Sequence, residues 1–206
     1  MKLDDLLKNL EYTCIQGSID GMEVSGIAYD SRKASEGDLF VCISGAVADG
    51  HSFAREVADK GVSVIVAEKP VDVPGTVTVI QVKDSRIALA GLSAEYFGNP
   101  AKELITIGIT GTKGKTTTTY MIRSVLEASG IKTGLIGTIE TIIGEKHIPS
   151  SNTTPESYII QETFREMADA GCDTCVMEVS SQGLMMHRTA GFTFDIGIFT
   201  NIEPDH

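Results

Sequence analysis

The chain has 206 residues, 42% of them hydrophobic and 22% charged, enough for one large or two small domains with an apolar core. Its formal net charge of -11 argues against a nucleic-acid groove or an anionic membrane surface, since both need clustered Lys and Arg. Met1–Leu10 has no apolar stretch of the kind a signal peptide needs, no run reaches membrane-spanning length, and the four cysteines suggest no disulfide framework, so the reading is a cytoplasmic protein.

The first half predicts strands at Gly26–Tyr29, Leu39–Ile43, Val62–Ala67 and Val77–Val82, with helices over Ser52–Lys60 and Arg86–Phe97. Phe97-Gly98-Asn99-Pro100 breaks the pattern, because Gly and Pro punctuate and Pro disfavours helix at the residue before it. The domain boundary is placed there, giving domains 1–99 and 100–206.

The second half alternates strand and helix, which implies a parallel sheet. Strands are expected at Leu104–Ile109, Thr133–Gly137, Cys175–Val179 and Ile196–Thr200, with a short hairpin over Ile139–Ile148 centred on Gly144. A helix is expected over Thr116–Ser129. Another should have Thr154 as N-cap and Pro155 at its first position, and stop at Gly171. The last strand has no return crossover, so the chain reads as part of something longer, with an exposed edge that favours association. The fold class is α/β: a small N-terminal domain, then a P-loop parallel-sheet domain that is incomplete.

Between the strand Leu104–Ile109 and the helix from Thr116 lies Gly111-Thr112-Lys113-Gly114-Lys115-Thr116-Thr117. Glycines let backbone N–H groups approach phosphate oxygens, the helix N-terminus adds partial positive charge, a lysine supplies a point charge and a hydroxyl can hold Mg²⁺. The usual earlier glycine is replaced by Ile109, so this is a shortened phosphate loop. ATP and Mg²⁺ are the expected cofactors. The alternative is a Gly/Thr-rich turn capping an ordinary helix.

In open parallel sheets ligands bind beyond the carboxyl ends of the strands. Glu178, near the end of an apolar strand, is either a Mg²⁺ ligand beside Thr116 or a solvated strand-end charge. His206, after the last strand, is a candidate metal or phosphate partner or a fraying terminus. The hydroxyl-rich Ser150–Pro155 loop is a second anion site or a simple cap. Arg188 is an anion clamp or a surface residue. Cys172-x-x-Cys175 reads as buried reduced thiols rather than a metal or redox pair.

These residues together resemble the Mur ligases, the ATP-dependent amide-forming enzymes of peptidoglycan precursor synthesis. The second half carries the phosphate loop, Asn152-Thr153-Thr154-Pro155, Met177-Glu178-Val179-Ser180-Ser181 and Phe199–His206 in family order. The first half carries Asp30-Ser31-Arg32, Gly37–Val41, Gly45 and Asp49-Gly50-His51, which resembles the MurE type. That resemblance implies an acid–amino-acid ligase working through an acyl phosphate. Its substrates would be UDP-N-acetylmuramoyl-L-alanyl-D-glutamate and an amino acid, diaminopimelate or lysine. The whole protein would be monomeric, and these 206 residues alone inactive. Tyr29, Ser31, Asn152, Thr153, Thr154, Ser180 and Arg188 fall on substrate-touching positions, Gly111–Thr117 on ATP, Lys115, Glu178 and His206 on catalytic positions, and Thr116, Glu178 and His206 on metal. The departures are Lys113 in place of Asn, Gln182 in place of His, Met186 in place of a polar residue, and Ala46-Val47, which leave only backbone contacts to uridine. Another three-domain Mur-type ligase and a non-catalytic nucleotide-binding relative are the alternatives.

Overall fold

A computed structural model of the chain describes residues 1–45 and 48–203. The residues divide into two units, Met1–Tyr96 and Phe97–His206.

The first unit is built on short runs of β-branched residues. Strands β1 (Thr13–Gln16), β2 (Ile27–Ala28), β3 (Leu39–Val41), β4 (Val64–Ala67) and β5 (Thr78–Gln81) form one sheet in the order β1-β5-β4-β3-β2. β2 to β5 are parallel, and β1 closes one edge antiparallel to β5. Every residue of β3 and β4 is buried, as a parallel sheet covered on both faces requires. Phe40, Ile65 and Val79 pack on one face with Val57 of α2 (Ala54–Asp59). Leu39, Val41, Val64 and Val66 point the other way by strand alternation and are also fully buried. There α3 (Ser85–Tyr96) packs on β3 and β4, and α1 (Leu3–Leu7) packs on α3. The helix expected over Ser52–Lys60 is a 3-10 turn, Gly50–Phe53, running into α2.

The second unit has six strands: β6 (Ile105–Thr110), β7 (Thr133–Ile136), β8 (Glu140–Ile143), β9 (Lys146–Pro149), β10 (Thr174–Glu178) and β11 (Ile196–Phe199). Their order is β11-β6-β10-β7-β8-β9. The first four are parallel, and the hairpin β8–β9 turns at Gly144 (φ 57°) and extends the sheet antiparallel. Helix α4 (Lys115–Ala128) covers one face, with Ile122 and Leu126 on Ile107, Ile109 and Val176. Helix α5 (Ser157–Asp169) covers the other, with Ile160, Phe164 and Met167 against Ile136, Ile143 and Met177. Cys172 and Cys175 are buried in that second layer and free. Burial pushes the Cys175 thiol far up, which suits a core hydrophobe and not a reactive thiolate. β11 lies at the sheet edge, joined to β6 by its ladder and by Asp195, whose carboxylate accepts from the Thr106 N–H at 2.8 Å and hydroxyl at 2.9 Å.

The structure corrects the Thr154 cap. Helix α5 starts at Ser157, with Glu156 in the N-cap position. Thr154 is buried and its hydroxyl is used elsewhere, donating to the Glu178 carbonyl at 3.0 Å and accepting from the Ser180 N–H at 2.9 Å. With the helix starting at Ser157, Thr154 lies two residues before its N-cap, and its hydroxyl serves the end of β10 instead.

Candidate functional site

Four connections leave the carboxyl ends of the parallel strands in the second unit: Gly111–Gly114 after β6, Gly137–Thr138 after β7, Val179–Ser180 after β10 and Thr200–Glu203 after β11. Gly111 (φ 135°) and Gly114 (φ 83°) take left-handed backbone that β-carbon residues resist. A Cβ at Gly111 would also lie 2.2 Å from the Thr200 hydroxyl, so that glycine is needed to let the segment after β11 dock. Asn201 clamps the loop tip. Its Oδ1 accepts from the Lys113 N–H at 2.9 Å, its Nδ2 donates to the Lys113 carbonyl at 3.1 Å, and its own carbonyl accepts from the Thr112 N–H. Lys113 pairs with Glu203 at 2.9 Å across the same junction. Lys115, at the start of α4, folds its ammonium back onto the Gly111 carbonyl at 2.7 Å and the Thr112 carbonyl at 3.3 Å.

Glu178 ends β10 fully buried. Its Oε2 accepts from the Thr116 hydroxyl at 2.9 Å and the Thr138 hydroxyl at 3.0 Å, and its Oε1 accepts from the Thr138 N–H at 2.9 Å. Gly137 makes room, since a Cβ there would lie 2.5 Å from Oε1. Among the described residues no Lys, Arg or His forms an ion pair with this carboxylate. A buried carboxylate so placed, with a hydroxyl from the first turn of α4 on it, fits a hard divalent cation that completes its shell with phosphate and water oxygens. The described residues contain no cluster of three or more His, Cys, Asp or Glu able to hold a metal unaided.

Two clefts open here. The first, about 430 Å³, is lined by Gly111, Thr112, Lys115, Thr153, Ser180, Gln182, Phe199 and Asn201. The second, about 270 Å³, is lined by Thr138, Ser151, Asn152, Thr153, Ser180 and Arg188, with Gln182. Thr153, Ser180 and Gln182 line both. Thr153 bonds the Thr138 hydroxyl at 3.0 Å, and the Ser180 hydroxyl caps α6 (Ser181–Met185) by accepting from the Gly183 N–H at 3.0 Å. Asn152 is exposed, its amide 3.4 Å from the Ser151 hydroxyl. Arg188 is the cation of the second cleft, with Nε and Nη2 on Glu156 at 2.9 and 2.7 Å and Nη1 on the Thr154 carbonyl at 2.8 Å.

In the first unit Tyr29 and Ser31 follow β2 and are half-buried. Asp30, not Ser31, holds that turn: its carboxylate accepts from the Arg32 N–H and from both Nε and Nη2 of Arg32. Arg32 accordingly holds the Asp30 carboxyl down at about 2. The Ser31 carbonyl accepts from Lys60 at 2.8 Å, and among the described residues its hydroxyl makes no hydrogen bond. The Asp49-Gly50-His51 run stitches loops together: Asp49 binds His51 Nδ1 and Lys69, each at 2.6 Å, and His51 Nε2 accepts from the Glu68 N–H.

The structure therefore brings Gly111–Thr117, Glu178, Thr153, Thr154, Ser180 and Arg188 to one end of one sheet, with Tyr29 and Ser31 in the other unit. His206 and Ala46-Val47 lie outside the described residues. Sequence reasoning missed Thr138, Glu156 and the clamp by Asn201. Thr138 was within reach of the strand-end rule, because it follows the buried strand β7.

Two family models match the chain: the Mur ligase middle domain over residues 109–206, and the Mur ligase family, catalytic domain over residues 23–97. Similar curated relatives include the UDP-N-acetylmuramoyl-L-alanyl-D-glutamate--2,6-diaminopimelate ligases of Clostridium perfringens, 48% identical, and of Bacillus licheniformis, 46% identical. Each match spans all of this chain and 42% of the relative, so the chain covers less than half their length. A solved structure of such a diaminopimelate ligase aligns with TM-score 0.82 at 21% identity, over all of this chain and 41% of that one. The structure of MurF ligase from Thermotoga maritima in complex with ADP aligns with TM-score 0.57 at 25% identity, over 85% of this chain and 37% of that one.

Proposed function

This chain belongs to the Mur ligase family, and from that premise we propose that it is part of an ATP-dependent ligase of the MurE type. Such an enzyme joins an amino acid to UDP-N-acetylmuramoyl-L-alanyl-D-glutamate. The observation that carries the proposal is the contiguity of the two clefts through Thr153, Ser180 and Gln182. A ligase that activates a carboxylate needs the phosphoryl donor and that carboxylate within reach of each other. One cleft has the means to hold phosphates and the other has a fixed guanidinium.

In this reading the N–H groups of Gly111–Thr117 and Lys115 hold the ATP phosphates. Lys115 would exchange two carbonyl partners for phosphate oxygens. Thr116 and Glu178 would hold Mg²⁺, which supplies charge neutralisation on the phosphates when bound. Asn152, Thr153, Thr154, Ser180 and Arg188 would border the muramoyl peptide, with Arg188 clamping a peptide carboxylate. His206 is proposed as a metal partner. Tyr29 and Ser31 would hold the uridine, since Ser31 offers an uncommitted hydroxyl that both donates and accepts. Residues 1–99 form the proposed UDP-substrate domain and 100–206 the ATP domain. The whole protein is proposed to be a cytoplasmic monomer. Among the described residues no helix is long and apolar enough to cross a membrane.

Titrating the chain with UDP-N-acetylmuramoyl-L-alanyl-D-glutamate and with its adenosine analogue tests the proposal. The uridine ligand should bind more tightly, and Ser31→Ala should cost it about 1 kcal/mol, the worth of one neutral hydrogen bond. Equal affinity for both ligands, or none for either, would leave a generic nucleotide-binding domain.

A further inference from the structure

Glu156 stands in the N-cap position of α5, where a side chain ordinarily accepts from its own helix. It makes no such bond. Its Oε1 instead takes Nε and Nη2 of Arg188, 32 residues further on, and both side chains are largely buried. Arg188 is aimed from its own side as well. The preceding His187 holds left-handed backbone (φ 53°), uncommon for a residue with a β-carbon, and the Arg188 N–H is tied to the Gly183 carbonyl. The third anchor is Nη1 on the Thr154 carbonyl. With Nε, Nη1 and Nη2 each giving one N–H internally, one N–H remains on each Nη nitrogen. The guanidinium thus faces its cleft as a directional fork whose net charge its partner cancels.

Resting on the carboxylate-clamp reading of Arg188 above, we propose that Glu156 is a specificity-determining positioning residue. By fixing the plane of Arg188 and neutralising it, Glu156 makes the cleft select a carboxylate presented in register with the two remaining N–H groups. A bare arginine would attract any anion that came near.

Two substitutions separate the parts of this claim. Glu156→Gln keeps an oxygen where both Arg188 bonds end and removes only the charge. Glu156→Ala removes the aim as well. The probes are UDP-N-acetylmuramoyl-L-alanyl-D-glutamate and the shorter UDP-N-acetylmuramoyl-L-alanine, which share the nucleotide and both end in a carboxylate. Their dissociation constants are measured by calorimetry on the whole chain at several salt concentrations. In Glu156→Gln the preference for the longer ligand should fall about fivefold, and binding should weaken more steeply with salt, because net charge has replaced geometry. In Glu156→Ala the longer ligand should bind about tenfold more weakly with the shorter one little changed. A purely structural role would leave both the preference and the salt slope of Glu156→Gln as in the parent chain, and that result overturns the inference. Should Glu156→Ala fail to fold, the Gln variant decides alone. Arg188→Ala is the control. If it weakens the longer ligand while the Glu156 variants do not, only this inference falls. If it leaves that affinity intact, the clamp reading falls and takes the inference with it.

Discussion

Replacing Glu178 separates a structural carboxylate from one held ready for a cation. The carboxylate is fully buried and accepts three hydrogen bonds, from the Thr116 hydroxyl, the Thr138 hydroxyl and the Thr138 N–H. In Glu178→Gln the amide oxygen can keep the Thr138 N–H, and the amide nitrogen can donate to both hydroxyl oxygens once these rotate. The loss is the charge assistance on those bonds, about 1 kcal/mol each. Against it stands relief from burying a charge without a cation, worth several kcal/mol. The two offset, so urea unfolding without ligand should change by no more than about 2 kcal/mol. Glu178→Ala has no such compensation. It strands the Thr138 N–H, about 1–3 kcal/mol, and empties the space beside Gly137, for a total of about 3–5 kcal/mol. The decisive arm adds Mg²⁺ and ATP. At a hundred times its dissociation constant a ligand stabilises the native state by about 2.7 kcal/mol. The parent chain should show that gain and Glu178→Gln should lose most of it. A Gln variant that keeps the full gain, or one that costs as much as Ala, would refute the assignment of this carboxylate to a metal.

Lys115→Ala should abolish ATP binding in calorimetry while leaving circular dichroism and the urea midpoint nearly unchanged, because the ammonium touches loop carbonyls and not core. Unchanged affinity would sink the phosphate-loop assignment. Burial, then the 2.8 Å hydrogen bond to Glu140, pushes the Tyr120 phenol up to about 12. Its folded value lies above its unfolded one, so its contribution to stability is complete below about pH 10 and is lost as pH rises through about 12. An absorbance titration should show a late phenolate that Tyr120→Phe removes, and an unaltered curve would contradict this. Finally, Phe199 (62% exposed) and Ile196 (47%) on the edge strand, with Met121 (64%) and Val125 (65%) on α4, leave apolar surface uncovered. Light scattering should find the 206-residue chain associating above micromolar concentration, and a clean, thermally stable monomer would be evidence against it.

The local pattern of the chain was enough to place the Gly111–Gly114 loop between strand β6 and helix α4. A β-rich run, glycines at positions needing left-handed backbone, a lysine and a helical pattern are all properties of neighbouring residues, and neighbours are what a sequence displays. Glu178 was legible for a related reason, since a charged residue ending an apolar run is conspicuous without coordinates. Short elements were not: α1, α6 and β1 span four or five residues each, too few for a hydrophobic period to repeat. Thr154 shows the deeper limit. Read locally it is a good helix cap, and only the approach of β10 shows its hydroxyl bonded to the Glu178 carbonyl and the Ser180 N–H. The same holds for Asn201 on the Lys113 backbone and Glu156 on Arg188. Those contacts join residues 88 and 32 positions apart, and which side chain meets which is decided by strand order and packing. Sequence by itself determined, to within a residue or two, where the strands of the second unit's parallel sheet end and which chemistry stands there. Tertiary structure decided which of those ends face one another, because hydrogen-bond partners across a sheet are chosen by register and burial and leave no periodic trace along the chain.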